Sequence, residues 1–212
     1  MNSTDYLKYI TDEIHTVIVA TVDDEGHPVT AAIDMMDSDE SGLYFLTARG
    51  KSFYDRLIKR QYLAFTALKG ETTMTSIAVS VRGRVRELGP DLIPGLFEKN
   101  AYMCEIYPTE ESRKALTVFH IYGGAGEWFD LSKKPIERDT FSFGASEDKN
   151  SQEGYFITDA CFGCGNCLEV CPQKCISSDD VPYTIEQNHC LHCGNCLEVC
   201  PADAVIRKWS ST

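Results

Sequence analysis

Nowhere does the sequence carry the run of roughly 18 apolar residues that a membrane-spanning helix requires. Its start, Met1 to Ala20, holds Asp5, Asp12 and Glu13 and lacks the basic opening and continuous apolar stretch of a secretory signal. The expectation is a soluble cytoplasmic protein with no membrane partner. Basic charge is scarce: 20 Lys and Arg stand against 32 Asp and Glu, a formal net charge of −12. Such a surface repels phosphate backbones and argues against nucleic acid as a partner, while favouring solubility. There is no Gly-rich Rossmann fingerprint, which argues against a dedicated nicotinamide-binding domain. Cysteine is almost missing from the first 160 residues, where Cys104 stands alone in a helical stretch and reads as a small buried residue.

The other nine cysteines lie between Cys161 and Cys200, and that asymmetry divides a 212-residue chain into two domains. Between them GASEDKNSQEG, from Gly144 to Gly154, has no apolar periodicity and reads as a solvated linker. The boundaries are therefore 1–143, a linker 144–154, and 155–212. In a reducing cytosol, clustered cysteines are metal ligands in preference to disulfides.

The second domain contains an internal repeat: CFGCGNCLEVCP from Cys161 returns as CLHCGNCLEVCP from Cys190. Each half has three cysteines two residues apart, a fourth after three more, and then Pro172 or Pro201. Three closely spaced thiolates wrap one face of an iron-sulfur cubane, while the fourth points away and reaches the other cluster. By that rule one 4Fe-4S cluster takes Cys161, Cys164, Cys167 and Cys200, and the other takes Cys190, Cys193, Cys196 and Cys171. A pair of zinc sites is the alternative, but tetrahedral zinc has little use for this crossed spacing. The segment resembles two-cluster bacterial-type ferredoxins throughout, with short strands expected at Tyr155–Thr158 and Tyr183–Ile185. Cys175 falls where the second repeat has Ala204, so it is read as packing beside a cluster without ligating it. His189 and His192 are read as loop residues, not ligands.

In the first domain the periodicities predict a helix over Asp5–Ile14, capped by Ser3 or Thr4, and a hairpin of Thr16–Val22 with Pro28–Met36. A strand over Gly42–Thr47, a helix over Ser52–Arg60 and strands over Tyr62–Leu68 and Thr73–Leu88 follow. Asp91–Tyr107 and Thr109–Ala115 read as helical, and Leu116–Tyr122 with Glu127–Leu131 as a last pair of strands. Strands at short spacing with a helix after the third predict a small antiparallel barrel. The fold class is mainly β with α/β elements, a split barrel followed by a small α+β ferredoxin domain.

One junction in this domain suits an anion. A strand ends at Thr47, Gly50 follows, and a helix begins at Lys51 or Ser52, so free backbone N–H groups and a positive dipole end face outward. Lys51 adds a full charge, and Thr47 and Ser52 add hydroxyls. The order of elements, with LYFLTARGKSFYDRLIKRQYLAF from Leu43 and SVRGRVREL from Ser80, resembles the FMN-binding split barrel of the pyridoxamine 5'-phosphate oxidase-like superfamily. The resemblance implies that this corner holds the flavin phosphate, through Lys51 first and Arg49 next. It also makes Arg82 a flavin contact, although Arg82, Arg84 and Arg86 alternate on one strand face and such a set is more often a solvated stripe. Trp128 corresponds to an aromatic that relatives place beside the flavin, with core or interface packing as its plainer role. His15, His27 and His120 lack partner spacing and are read as structural. The strand PVTAAIDMM has no arginine where the authentic oxidases carry one at the flavin, so pyridoxamine phosphate oxidation is not assigned.

Together the parts imply an iron-sulfur flavoprotein oxidoreductase that passes electrons between two 4Fe-4S clusters and FMN and on to a small-molecule acceptor or redox partner protein. The alternative is an electron carrier or redox sensor without turnover, with or without flavin. The family resemblance further implies a homodimer with flavin at the two-fold interface. The crossed ligation is open to direct test: Cys171→Ala should abolish the cluster held by Cys190, Cys193 and Cys196 and spare the other. Loss of the Cys161-side cluster instead, read by EPR of the reduced protein, would refute it.

Overall fold

The computed structural model describes residues 1–145 and 153–208, so most of the expected linker lies outside the described residues. The elements of the first part are α1 (Ser3–Tyr9), continued by one π-helical stretch over Ile10–Ile14, β1 (Thr16–Val22), β2 (Pro28–Asp39), β3 (Gly42–Ala48), α2 (Ser52–Arg60), β4 (Tyr62–Lys69) and β5 (Ile77–Gly89). Then come α3 (Ile93–Lys99), α4 (Met103–Ile106), α5 (Glu110–Arg113), β6 (Leu116–Asp130) and β7 (Glu137–Gly144).

Seven strands hydrogen-bond in the order β3-β2-β1-β4-β5-β6-β7, and β3 also pairs with β6. That extra antiparallel ladder, from Leu43↔Ile121 to Ala48↔Leu116, closes six strands into a barrel and leaves β7 attached outside the ring. Alternate residues point inward: Val17 and Val19 of β1, Leu43 and Phe45 of β3, Leu63 and Phe65 of β4, and Val79, Val81 and Val85 of β5 are all buried. Each such side chain contributes about 1.5–3 kcal/mol by leaving water. A second layer of Ile93, Leu96 and Phe97 from α3 covers Met36, Leu116 and Val118, which is why β6 is buried on both faces over its first six residues.

Several expectations need correction. The cap of α1 is Asn2, not Ser3 or Thr4; it forms a capping box with Asp5, satisfying two backbone donors reciprocally. The fifth strand starts at Ile77, because Thr72 and Thr75 bond each other's backbone and hold Thr73–Thr75 in a 3-10 turn. The long helix from Asp91 is broken at Asn100, whose side chain donates to the carbonyls of Met36 and Leu96. The last two strands are one, β6, and Gly123, Gly124 and Gly126 lie inside it. At Gly126 a Cβ would sit 2.3 Å from the Phe141 ring, so β7 can approach only a strand lacking side chains there. Strand β7 itself was not expected, since only Phe141 and Phe143 in it are apolar and buried. Cys104 is exposed, with its sulfur accepting from Arg113.

The cysteine-rich part comprises β8 (Gly154–Ile157), α6 (Asn166–Val170), β9 (Ile176–Ser177), β10 (Thr184–Ile185), α7 (Asn195–Glu198) and β11 (Val205–Lys208). Strand β8 pairs with β11 and β9 with β10, both antiparallel. This part forms one compact unit together with Glu71–Ile77 and Phe129–Asp139, while the rest of the barrel chain forms the other. Within the cysteine-rich unit the Ile136 amide donates to Gln173 and its carbonyl meets His189 Nδ1 at 2.8 Å.

Barrel closure sets a specific demand at Gly42, where φ is +147° and a Cβ would lie 1.8 Å from the Ile121 carbonyl oxygen. Gly42→Ala should add backbone strain of about 1–3 kcal/mol to an overpacking cost of about 1–3 kcal/mol. Urea unfolding should register this as a lower midpoint; an unchanged midpoint would mean that the β3–β6 seam does not close as described.

Candidate functional site

Two hollows in the cysteine-rich unit gather the thiols, and each draws on both halves of the repeat. The first is lined by Cys190, Cys193 and Cys196 from the second repeat and Cys171 from the first. The other is lined by Cys161, Cys164 and Cys167 from the first and Cys200 from the second. Local geometry explains the placement. Gly165 and Gly194 take the left-handed conformation just before α6 and α7, turning the chain so that Cys167 and Cys196 face inward from the first turn of each helix. Cys171 and Cys200 follow those helices, and the tight packing of α6 on α7 lets each cross to the opposite hollow.

The donor set suits a cluster better than a single ion. Among the described residues, no three His, Cys, Asp or Glu side chains converge closely enough to hold one metal ion. The thiols instead surround a space, which is what an iron-sulfur cubane needs. Backbone amides already point at two of the sulfurs: His192 N–H donates to Cys190 at 3.4 Å and Ala204 N–H to Cys200 at 3.3 Å. Burial pushes the Cys196 thiol up to about 11, so cluster assembly has to displace its proton.

The two hollows differ in one residue. Cys175, 3% exposed, lines the first, with its sulfur 3.6 Å from that of Cys171; Ala204 lines the second. A hydrogen bond with Cys190, followed by burial, raises the Cys175 pKa far above the usual thiol range. The same bond lowers Cys190 to about 6 against the opposing effect of its own burial. The position of Cys175 was legible as a break in the repeat; its contact with the Cys171 sulfur was not.

In the other unit, the strand-to-helix corner after β3 is assembled as the sequence indicates, with one complication. Lys51 is the N-cap of α2, is exposed, and has no side-chain partner among the described residues. Gly50 leaves open space around its Cα, with nothing within 4 Å of a Cβ built there. Ser52 begins the helix and accepts from Arg56 at 3.2 Å. Thr47 is 3% exposed, and its hydroxyl is buried without a hydrogen-bond partner. Arg49 is already engaged: it donates to the Lys114 carbonyl and lies 3.6 Å from a Glu87 carboxylate oxygen. Glu87 also accepts from Thr117 at 2.6 Å and Tyr54 at 3.1 Å. The exposed ammonium of Lys51, the free N–H groups of the first turn of α2 and the unpartnered Thr47 hydroxyl fit an anion such as a phosphate.

Glu87 is the residue that sequence reasoning missed. A signal for it existed, because Val79, Val81, Gly83, Val85 and Glu87 share the inward phase of β5, where a carboxylate needs partners. Arg82 and Arg84 occupy the exposed, outward phase with Arg86. Trp128 is 7% exposed and packs between Tyr6 and Tyr9, with ring centroids 5.3 and 4.9 Å away, so in this chain it is a core residue. His15 and His120 have fixed partners. His15 meets Tyr102 Oη at 2.8 Å, and Tyr102 in turn donates to Asp34. His120 stacks on Tyr44 and faces Arg86 at Nδ1. Because Arg86 can only donate, His120 carries its proton on Nε2 and offers it to Ser41. Burial, then Arg86, lowers its pKa and keeps it neutral.

No helix among the described residues is long and apolar enough to cross a membrane. Residues 3–122 match the family model described as pyridoxamine 5'-phosphate oxidase, and residues 145–204 match the 4Fe-4S dicluster domain. No curated protein matches the sequence. Among solved structures, a nimc/nima family protein from Clostridium acetobutylicum is 15% identical with a TM-score of 0.55, over 66% of this chain and 90% of that one. A protein related to general stress protein 26, of the pyridoxinephosphate oxidase family and from the same organism, is 15% identical with a TM-score of 0.51, over 65% and 92%. A heme binding protein from Mycobacterium smegmatis is 11% identical with a TM-score of 0.53, over 69% and 62%. At these identities the likeness to solved structures is one of fold. Because the first family model spans more than half of the sequence, the chain belongs to the pyridoxamine 5'-phosphate oxidase family and carries a 4Fe-4S dicluster domain at its C-terminus.

Proposed function

We propose that this iron-sulfur redox protein is an FMN-dependent oxidoreductase in which two 4Fe-4S clusters exchange electrons with flavin and the flavin serves a small-molecule acceptor. The observation that carries the reading is the division of eight cysteines into two crossed sets of four around separate hollows. A chain that builds two cluster sites is equipped to move single electrons. FMN, when bound, accepts electrons one at a time and delivers one or two.

The chain's own contribution is placement. Lys51 and the first turn of α2 hold the phosphate, with Ser52 and the Thr47 hydroxyl as further donors. Arg49 supplies charge through a guanidinium shared with Glu87. That sharing favours the second reading, a carrier or sensor with a weakly loaded barrel, because a carboxylate beside the corner reduces its pull on an anion. The outer face of β1 and β4 carries Ile18, Val22, Tyr62 and Leu68, between 41% and 62% exposed. A strip of this kind supports a homodimer, in which a partner subunit would cover it.

Protein prepared without oxygen should contain about eight iron and eight acid-labile sulfide per chain, as two 4Fe-4S clusters require, with one FMN. A content near four of each would remove the two-cluster reading, and cluster absorbance without flavin bands would leave the carrier reading. Lys51→Ala should weaken FMN binding roughly ten- to a hundredfold, since a charge-assisted hydrogen bond contributes about 1.5–3 kcal/mol. Thermal stability of the flavin-free protein should not change. An unaltered FMN titration would place the phosphate elsewhere.

A further inference from the structure

The repeat makes the two cysteine hollows near copies, yet the first holds five sulfurs and the second four. We propose that Cys175 is a redox-positioning residue: its thiol hydrogen-bonds the sulfur of Cys171 and makes the cluster held by Cys171, Cys190, Cys193 and Cys196 the more easily reduced of the two. The proposal rests on the two-cluster reading above and assigns a direction within it.

The Cys175 sulfur lies 3.6 Å from the Cys171 sulfur and is 3% exposed, so it cannot exchange this neighbour for water. Cys175 also lines the same wall as Cys190, Cys193 and Cys196. Four thiolates already complete the ligand set of a cubane, which leaves the fifth sulfur protonated, with its S–H directed at sulfur that carries negative charge. A donor to a ligand sulfur draws off electron density and stabilises the reduced, more negative cluster, and so raises its potential. In the second hollow Ala204 fills the corresponding place with a methyl group and offers no side-chain donor. Backbone donors reach sulfurs in both hollows, with His192 N–H 3.4 Å from Cys190 and Ala204 N–H 3.3 Å from Cys200, so the side-chain donor Cys175 is what the first has and the second lacks.

The consequence is a gradient between two otherwise similar centres. One electron leaves the cluster of Cys161, Cys164, Cys167 and Cys200, which is oxidised, and enters the cluster of Cys171, Cys190, Cys193 and Cys196, which is reduced. No proton moves, since Cys175 keeps its own throughout. An electron arriving at either site then rests on the cluster beside Cys175.

The test is an EPR-monitored reductive titration of the full chain after iron analysis. Wild type should load about eight iron per chain and show two separated potentials. Cys175→Ala should keep that iron and lower only the higher potential, by about 59 mV if the equilibrium between the clusters shifts tenfold. Cys175→Ser, which keeps a donor, should retain most of the separation. Ala204→Cys, which places a thiol in the second hollow, should raise the lower potential. Wild type with four iron would defeat the two-cluster reading itself. Eight iron in wild type but four in Cys175→Ala would make Cys175 a ligand and overturn the proposal, as would two potentials unmoved by either the Ala or the Ala204→Cys change.

Discussion

Everything in the C-terminal part of this molecule depends on one constraint: four thiols must surround each of two hollows, and neither repeat can supply four to its own. The spacing of three cysteines two residues apart exhausts one loop. The fourth then has to come from beyond the helix of the other half. The crossed arrangement goes with α6 lying against α7, while β8 and β11 hold each other by their own antiparallel ladder. In a segment of some sixty residues the buried apolar side chains alone are few. Buried Tyr155, Ile176 and Val205 are the apolar remainder packed around the sulfurs.

The barrel answers to a different constraint, closure. Strand β3 pairs with β2 on one side and β6 on the other, joining residues nearly eighty positions apart, as in Leu43↔Ile121. The same closure fixes the corner at which β3 ends and α2 begins. Tyr54 from α2, Glu87 from β5 and Thr117 from β6 meet there in one hydrogen-bonded group. This corner is thus built on strands and a helix, and its two cations differ: Arg49 lies beside Glu87, whereas Lys51 is exposed at the start of α2.

What was legible in the sequence follows from how local each signal is. The boundaries of β1 and α2 come out residue for residue, because the β-branched, apolar run from Thr16 to Val22 and the amphipathic stretch from Ser52 are complete within one element. The cluster cysteines were legible for a similar reason, since iron-sulfur chemistry demands a fixed spacing within each loop. The failures are non-local. Gly126 falls between two expected strands until Phe141 is seen to need the space beside it. Glu87 looks like a surface residue until Tyr54, Thr117 and Arg49 converge on it. Trp128 is not among them: core or interface packing was its plainer reading, and the rings of Tyr6 and Tyr9 pack against it.

The central claim is that clusters and flavin on this chain form a single electron-exchanging system. Stepwise reduction of the loaded protein in the absence of oxygen and substrate, followed in the visible spectrum, tests it most directly. The account predicts that flavin bands bleach as the clusters are reduced, at a rate independent of protein concentration, as exchange within one assembly requires. Flavin that stays oxidised beside fully reduced clusters would contradict it.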